Sequence, residues 1–333
     1  MSENSHSPKK GKPTLPDTFS FAIDFTEAEQ LEVLVKHMDA RVTQIGKSEG
    51  VSRWFASGIN QALFYYLDQR MPWVTELTNP RNQISLYMPI TKGEAPLYNN
   101  RPIQHEMVAL YGSGAEHFDR VPEGTAGEWF HIGLPVEEVI SSYTALVGSD
   151  APDLTGKEIV LEKTPNYWPM IRCMREMVSR IESTPEVLHH EETRKSMHAT
   201  LKEFLIETMA HPNYQKLILN SSDMVPHRRT IIRRCREYME ENINTPIYLQ
   251  DLCLATGYGK RHLEMTFKME YGISPMTYLK QRRYQQARNH LRKGADSVKS
   301  AALQAGFWEM GRFAVEFSRI YGDSPSSMLL RWK

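Results

Sequence analysis

The chain has 333 residues, 41% of them hydrophobic and 24% charged, the composition of a globular protein of two or three domains. No run approaches the ~20 apolar residues of a membrane helix, and the basic N-terminus lacks the apolar stretch of a secretion signal. Three scattered cysteines, Cys173, Cys235 and Cys253, exclude a disulfide framework and a Cys-x-x-Cys metal site, and favour the reducing cytoplasm.

The 40 Lys and Arg balance 40 Asp and Glu, but the balance is not uniform. From Pro226 to Lys333 there are 19 basic and 10 acidic residues, which leaves 21 and 30 for residues 1–225. One part is basic and the other acidic by the same margin, so the two parts suit different partners.

Residues 1–16 are rich in Ser, Pro and Lys and read as a disordered tail. Residues 17–155 have a β texture. Phe19, Phe21, Ile23 and Phe25 alternate with small or polar residues, as do Ile84, Leu86 and Met88. Apolar runs recur at Ala62–Leu67, Met107–Tyr111 and Trp129–Leu134. Turn signals at Asn79-Pro80, Asn99-Asn100 and Gly112-Ser113-Gly114 separate them. Short strands at such spacing predict an antiparallel sandwich or barrel. Over 156–212 the period becomes helical. Ile171, Met174, Val178 and Ile181 form one stripe, and Met197, Leu201, Leu205 and Met209 another. These two helices either cover the sheet or pair with a second chain. Residues 213–227 read as a linker.

Residues 228–333 are helical and contain a repeat. Leu249–Gly257 is a short helix ended by glycine, and a second helix begins by Lys260. Phe267-x-x-x-Tyr271-Gly272-x-Ser274-Pro275 recurs fifty positions on as Phe317-x-x-x-Tyr321-Gly322-x-Ser324-Pro325. Upstream, Leu252–Tyr258 matches Ala301–Phe307 at one position less, so the second turn is one residue longer. The units are expected over 249–271 and 297–321, joined by a long helix over 275–293 that spans roughly 28 Å. One turn of DNA is about 34 Å. Such a helix sets two recognition helices into successive major grooves.

Leu249–Gly257, Arg261–Phe267, Tyr271–Pro275 and Ala305-Gly306-Phe307 with Gly311–Ala314 closely resemble the AraC/XylS family of transcription regulators. The second unit is similar to that of ethanolamine-operon regulators. More weakly, Gly112–Gly114, His117, Val121-Pro122, Gly124 and Trp129–Pro135 look like the late strands of a cupin-like sensor domain. The resemblance implies an α+β multidomain chain. A cupin-like barrel or sandwich with two following helices would precede an all-α domain of two helix-turn-helix units. It also implies an operon activator in the cytoplasm, binding double-stranded DNA, a small-molecule effector, a second copy of the chain and RNA polymerase, with no membrane and no cofactor.

By motif match, Arg261, Glu264 and Met265 read bases in the first unit, and Gly311, Arg312 and Val315 in the second. Many relatives carry Gln-Arg where this chain has Glu264-Met265. Glu can accept from cytosine N4, Met can touch the thymine methyl, and Arg312 suits guanine. Lys260, His262, Lys268, Arg282 and Arg283 are assigned to phosphates. No effector-binding residue is assigned.

Enzyme readings fare worse. No Gly-x-Ser-x-Gly, P-loop or dinucleotide fingerprint occurs. His105, His117 and His131 are scattered over separate strands, and no metal site is expected. His189-His190-Glu191-Glu192 is contiguous, so its side chains diverge on a helix. The alternatives are a cupin-type metal enzyme with a DNA-binding tail, and a ligand-independent regulator controlled by a protein partner.

Overall fold

The computed structural model describes residues 16–28, 30–31, 40–92, 94–99, 101–162, 166–212, 214, 217 and 226–332. The expected tail over 1–16 lies outside the described residues except for residue 16. The expected linker over 213–227 does too, except for residues 214, 217, 226 and 227.

The N-terminal part is built from twelve described strands in two antiparallel sheets. The seven-stranded sheet has the order β1 (Thr18–Phe25), β3 (Ser52–Ile59), β4 (Ala62–Gln69), β11 (Ala126–Pro135), β6 (Gln83–Lys92), β9 (Val108–Tyr111), β12 (Glu158–Leu161). The five-stranded sheet has the order β2 (Arg41–Gln44), β5 (Trp73–Thr78), β10 (Glu116–Val121), β7 (Leu97–Tyr98), β8 (Arg101–Pro102). Period-two alternation assigns each strand two faces. On β4 and β11, Tyr65 and Trp129 face the space between the sheets, where they meet Val42, Trp73, Tyr98 and Tyr111. Their neighbours Phe64 and Phe130 face the opposite way and meet helices. Burying each large ring contributes about 1.5–3 kcal/mol.

Those helices are α1 (Val136–Val147), α2 (Tyr167–Ser183) and α3 (Glu191–Ala210). The stripe Ile171, Met174, Val178 and Ile181 and the stripe Met197, Leu201, Leu205 and Met209 both lie in the core formed with Phe55, Phe64 and Phe130. Of the two possibilities left open by the sequence, covering the sheet is the one that buries these stripes. Two elements depart from the expected division. Helix α1 lies inside the β-textured region, and strand β12 lies inside the segment expected to be helical.

The C-terminal part follows as α4 (Pro226–Glu241), α5 (Leu249–Thr256), α6 (Lys260–Tyr271), α7 (Pro275–Arg292), α8 (Val298–Gln304), α9 (Phe313–Tyr321) and α10 (Pro325–Trp332). It has two cores. Ile232, Cys235, Leu252, Leu263, Phe267, Tyr271 and Tyr278 form one, and it includes Val74 and Phe118 from the five-stranded sheet. Tyr284, Leu291, Ala301, Ala302, Phe313, Phe317 and Ile320 form the other. The molecule is thus layered: helices, seven-stranded sheet, five-stranded sheet, then the C-terminal helices. No described helix is long and apolar enough to cross a membrane.

Candidate nucleic-acid interface

The two helix pairs are shaped by local chemistry. The Tyr248 N–H donates to Asp251 Oδ2 at 2.7 Å, which caps the start of α5. Gly257 ends α5 at φ +78°, a conformation that costs glycine nothing. A Cβ added to Gly259 would meet nothing within 4 Å, so this turn residue faces open space. Ser274 caps α7, its Oγ accepting from the Thr277 N–H at 3.1 Å, and Pro275 occupies the first turn. Ser297 repeats that cap at α8, accepting from the Ser300 N–H at 3.0 Å.

In the first pair, α6 buries Leu263, Phe267 and Tyr271 and presents the residues between them. Lys260, Arg261, His262 and Lys268 are exposed, Glu264 is half-buried, and Met265 is 53% exposed. An apolar side chain held out from a packed helix suits a partner surface better than water. The His262 ring stacks on Tyr258 with centroids 5.0 Å apart. These six assigned residues form one surface around the outer face of α6.

The second pair differs. Helix α9 begins only at Phe313, and Arg312 stands at its cap with φ −103° and ψ −13°. Gly311 and Arg312 therefore lie in the turn before the helix, and Val315, 72% exposed, lies on it. The extra turn residue and the lack of a Ser, Thr or Asp cap delay the helix start. Patterning also passes over Trp308, which is 61% exposed in the same turn. A tryptophan four residues before Arg312, ahead of the second helix, was the signal the sequence offered.

Arg282 and Arg283 are placed differently from their assignment to phosphates. Arg282 donates to Gln285 Oε1 at 2.9 Å and to Thr43 Oγ1 at 3.4 Å, and lies 3.4 Å from Glu240 Oε1. Arg283 donates to the carbonyls of Ile243 at 2.9 Å and Thr245 at 2.5 Å. It secures the loop after α4, and burial lowers its pKa. Both arginines are occupied within the chain, and neither joins the α6 surface.

Between the two sheets lies a second region with polar chemistry. His117 and His131 are buried there, His117 stacked on Tyr111 at 4.4 Å and His131 on Tyr65 at 5.0 Å. His105 lies apart, beside Trp168. Asp119 is buried and accepts from Trp73 Nε1 at 3.3 Å. Desolvation pushes its pKa up to about 7, against the opposing Trp73 hydrogen bond. The buried Trp129 Nε1 meets no acceptor among the described residues. An orphaned donor in an aromatic interior carries a cost that a polar ligand or water would relieve.

A family model described as "Helix-turn-helix domain" matches residues 252–331. The chain is 32% identical over 102 residues to the "Probable thc operon regulatory protein" of Rhodococcus erythropolis, covering 30% of this chain and 31% of that protein. It is 30% identical over 99 residues to the "XylDLEGF operon transcriptional activator 2" of Pseudomonas putida, covering 29% and 63%. The chain thus matches only 31% to 63% of the length of these curated relatives. A solved probable AraC family transcriptional regulator from Rhodopseudomonas palustris is 36% identical, with 31% of this chain and 97% of that chain covered and a TM-score of 0.30. From Leu252 to Arg331 this chain carries the helix-turn-helix domain of the AraC/XylS regulators, and it belongs to that family.

Proposed function

We propose that the chain is a sequence-specific transcription regulator, an activator of a metabolic operon, whose two helix pairs read successive major grooves of one duplex. The observation that carries this reading is the α6 surface. Arg261, His262, Met265 and Lys268 are exposed on a helix whose other side is fully packed, and a further helix pair, α8 and α9, lies beyond α7. The 18 residues of α7 span about 27 Å, which suits two heads on one face of DNA. Arg261, Glu264, Met265, Gly311, Arg312 and Val315 would meet bases, and Lys260, His262 and Lys268 would meet phosphates.

The two roles separate by mutation. Arg312→Ala is expected to cost about 1–3 kcal/mol and relax preference at one base pair. Lys268→Ala is expected to weaken binding to all sequences evenly and lower the salt slope by about one. Binding titrations on a set of single-base operator variants check both. Identical profiles for the two variants would contradict the assignment.

The sheet domain is read as a cupin-like sensor for a small molecule bound between the sheets, near Asp119 and Trp129. Support comes from the buried carboxyl and the orphaned indole N–H. A second copy of the chain and RNA polymerase complete the proposed partners. Since α2 and α3 spend their apolar stripes on the sheet, a dimer would use their polar outer faces. Thermal-shift screening of the full chain against metabolites tests the sensor. A compound that raises the melting temperature and shifts DNA affinity supports it. No compound altering either would favour control by a protein partner.

A further inference from the structure

The two helix pairs present different chemistry. Around the start of α6 the exposed residues are Gly259, Lys260, Arg261 and His262, with no acid among them. Around the start of α9 they are Trp308, Glu309, Gly311 and Arg312, where the acid offsets the one cation. Ala314 and Val315, also exposed, add only apolar surface. Charge attraction to phosphates therefore belongs mainly to the first pair, and the exposed end of the second is largely apolar.

The turn that carries Trp308 is braced from within. Phe307 packs against Tyr284 with centroids 4.5 Å apart and against Phe313 at 4.9 Å, and Met310 packs against the same core. The Phe313 N–H donates to the Met310 carbonyl at 3.2 Å and closes the turn. Phe307, Met310 and Phe313 recur every three residues and face the core, which leaves Trp308, Glu309, Gly311 and Arg312 on the solvent side. Trp308 is 61% exposed, so its ring is spent on presentation and not on the core. A recognition helix brings its N-terminal residues to the base edges, and the turn before it arrives at the groove with them.

We propose that Trp308 is a specificity-determining residue of the second helix pair, reading the C5-methyl group of one thymine in the major groove. That methyl is the apolar group the major groove offers, and apolar side chains are the ones that meet it. Glu309 beside the ring repels phosphates, which sets the turn against a backbone contact and in favour of a base edge. The two pairs then divide the work. The basic surface of α6 supplies salt-dependent attraction, and the turn before α9 supplies discrimination that releases no counterions. The inference rests on the DNA-binding reading.

The test replaces thymine by uracil, which pairs identically but lacks the methyl, one position at a time across the footprint of the full chain on its own promoter region. Wild type, Trp308→Ala and Trp308→Phe are titrated against each duplex. At one thymine, in the half-site whose protection Phe317→Ala loses, uracil is expected to weaken wild-type binding about fourfold, the value of one buried methyl. Trp308→Ala is expected to bind that uracil duplex no worse than its thymine parent. Trp308→Phe keeps an apolar ring and is expected to keep the discrimination, which separates loss of the contact from damage to the turn. The salt slope of Trp308→Ala is expected to equal that of wild type, because no phosphate contact is lost. A thymine preference that survives in Trp308→Ala overturns the proposal. So does the absence of any position where uracil weakens wild type, or an even loss by Trp308→Ala on every duplex with a shallower slope, which marks a backbone contact. Wild type protecting no promoter sequence would overturn the DNA-binding reading instead.

Discussion

Phe317→Ala is expected to unfold the second helix pair and to halve the DNA footprint, while the first pair and the sheets stay folded. Phe317 is fully buried, packed 5.6 Å from the Phe313 ring and 6.4 Å from that of Tyr284. Removing a buried phenyl ring costs about 3–5 kcal/mol through lost transfer energy and the cavity left behind. That is a large share of the ~5–15 kcal/mol that holds a domain together. The damage stays local because the core around Phe317 and the core around Phe267 are separate clusters. Footprinting of the variant would show protection over one major groove where wild type protects two. An unchanged footprint would mean that α9 does not touch DNA.

A second large effect concerns Asp119. Its folded pKa of about 7 lies far above the ordinary carboxylate value of 3.8. Between those values the folded protein holds a proton that the unfolded chain has released. Stability therefore falls as pH rises through that window and stays low above it. The displacement corresponds to roughly 4 kcal/mol at most. Asp119→Asn keeps the shape and removes the titration. The variant is expected to be more stable than wild type at about pH 8, with the difference shrinking towards about pH 5. Calorimetric melting of both proteins across that range checks it. A pH-independent difference between the two would show that Asp119 does not titrate in the folded state.

Much of the C-terminal architecture is legible because its signals are local. The repeat of Phe267–Pro275 in Phe317–Pro325 marks α9 as the counterpart of α6 without any knowledge of packing. Glycines at 257, 272 and 322 with φ near +70° close helices where the sequence expects them to end. The apolar run Ala62–Leu67 falls in β4, and Trp129–Leu134 in β11.

The departures have physical causes. Val136, Val139, Ile140, Tyr143 and Val147 follow helical spacing in α1, but this stretch directly continues a strand, and the β texture around it masks the change of period. Strand β12 is four residues long and is defined by its pairing to β9, which no local pattern reveals. Glu76 accepts from Tyr271 and Tyr278 across about 200 positions of sequence, and charge totals cannot show which acid meets which arginine. For the same reason Arg282 and Arg283 read as phosphate ligands in the sequence but find acceptors inside the chain. The basic excess of the C-terminal part is accordingly spent in part on the protein itself.

Hydroxyl-radical footprinting of the full chain on its own promoter region tests the central claim most directly. Two reading heads joined by α7 predict, for each subunit, two protected patches about 10–10.5 base pairs apart on one face of the duplex. A single protected patch, or uniform protection with no sequence preference, would contradict the account.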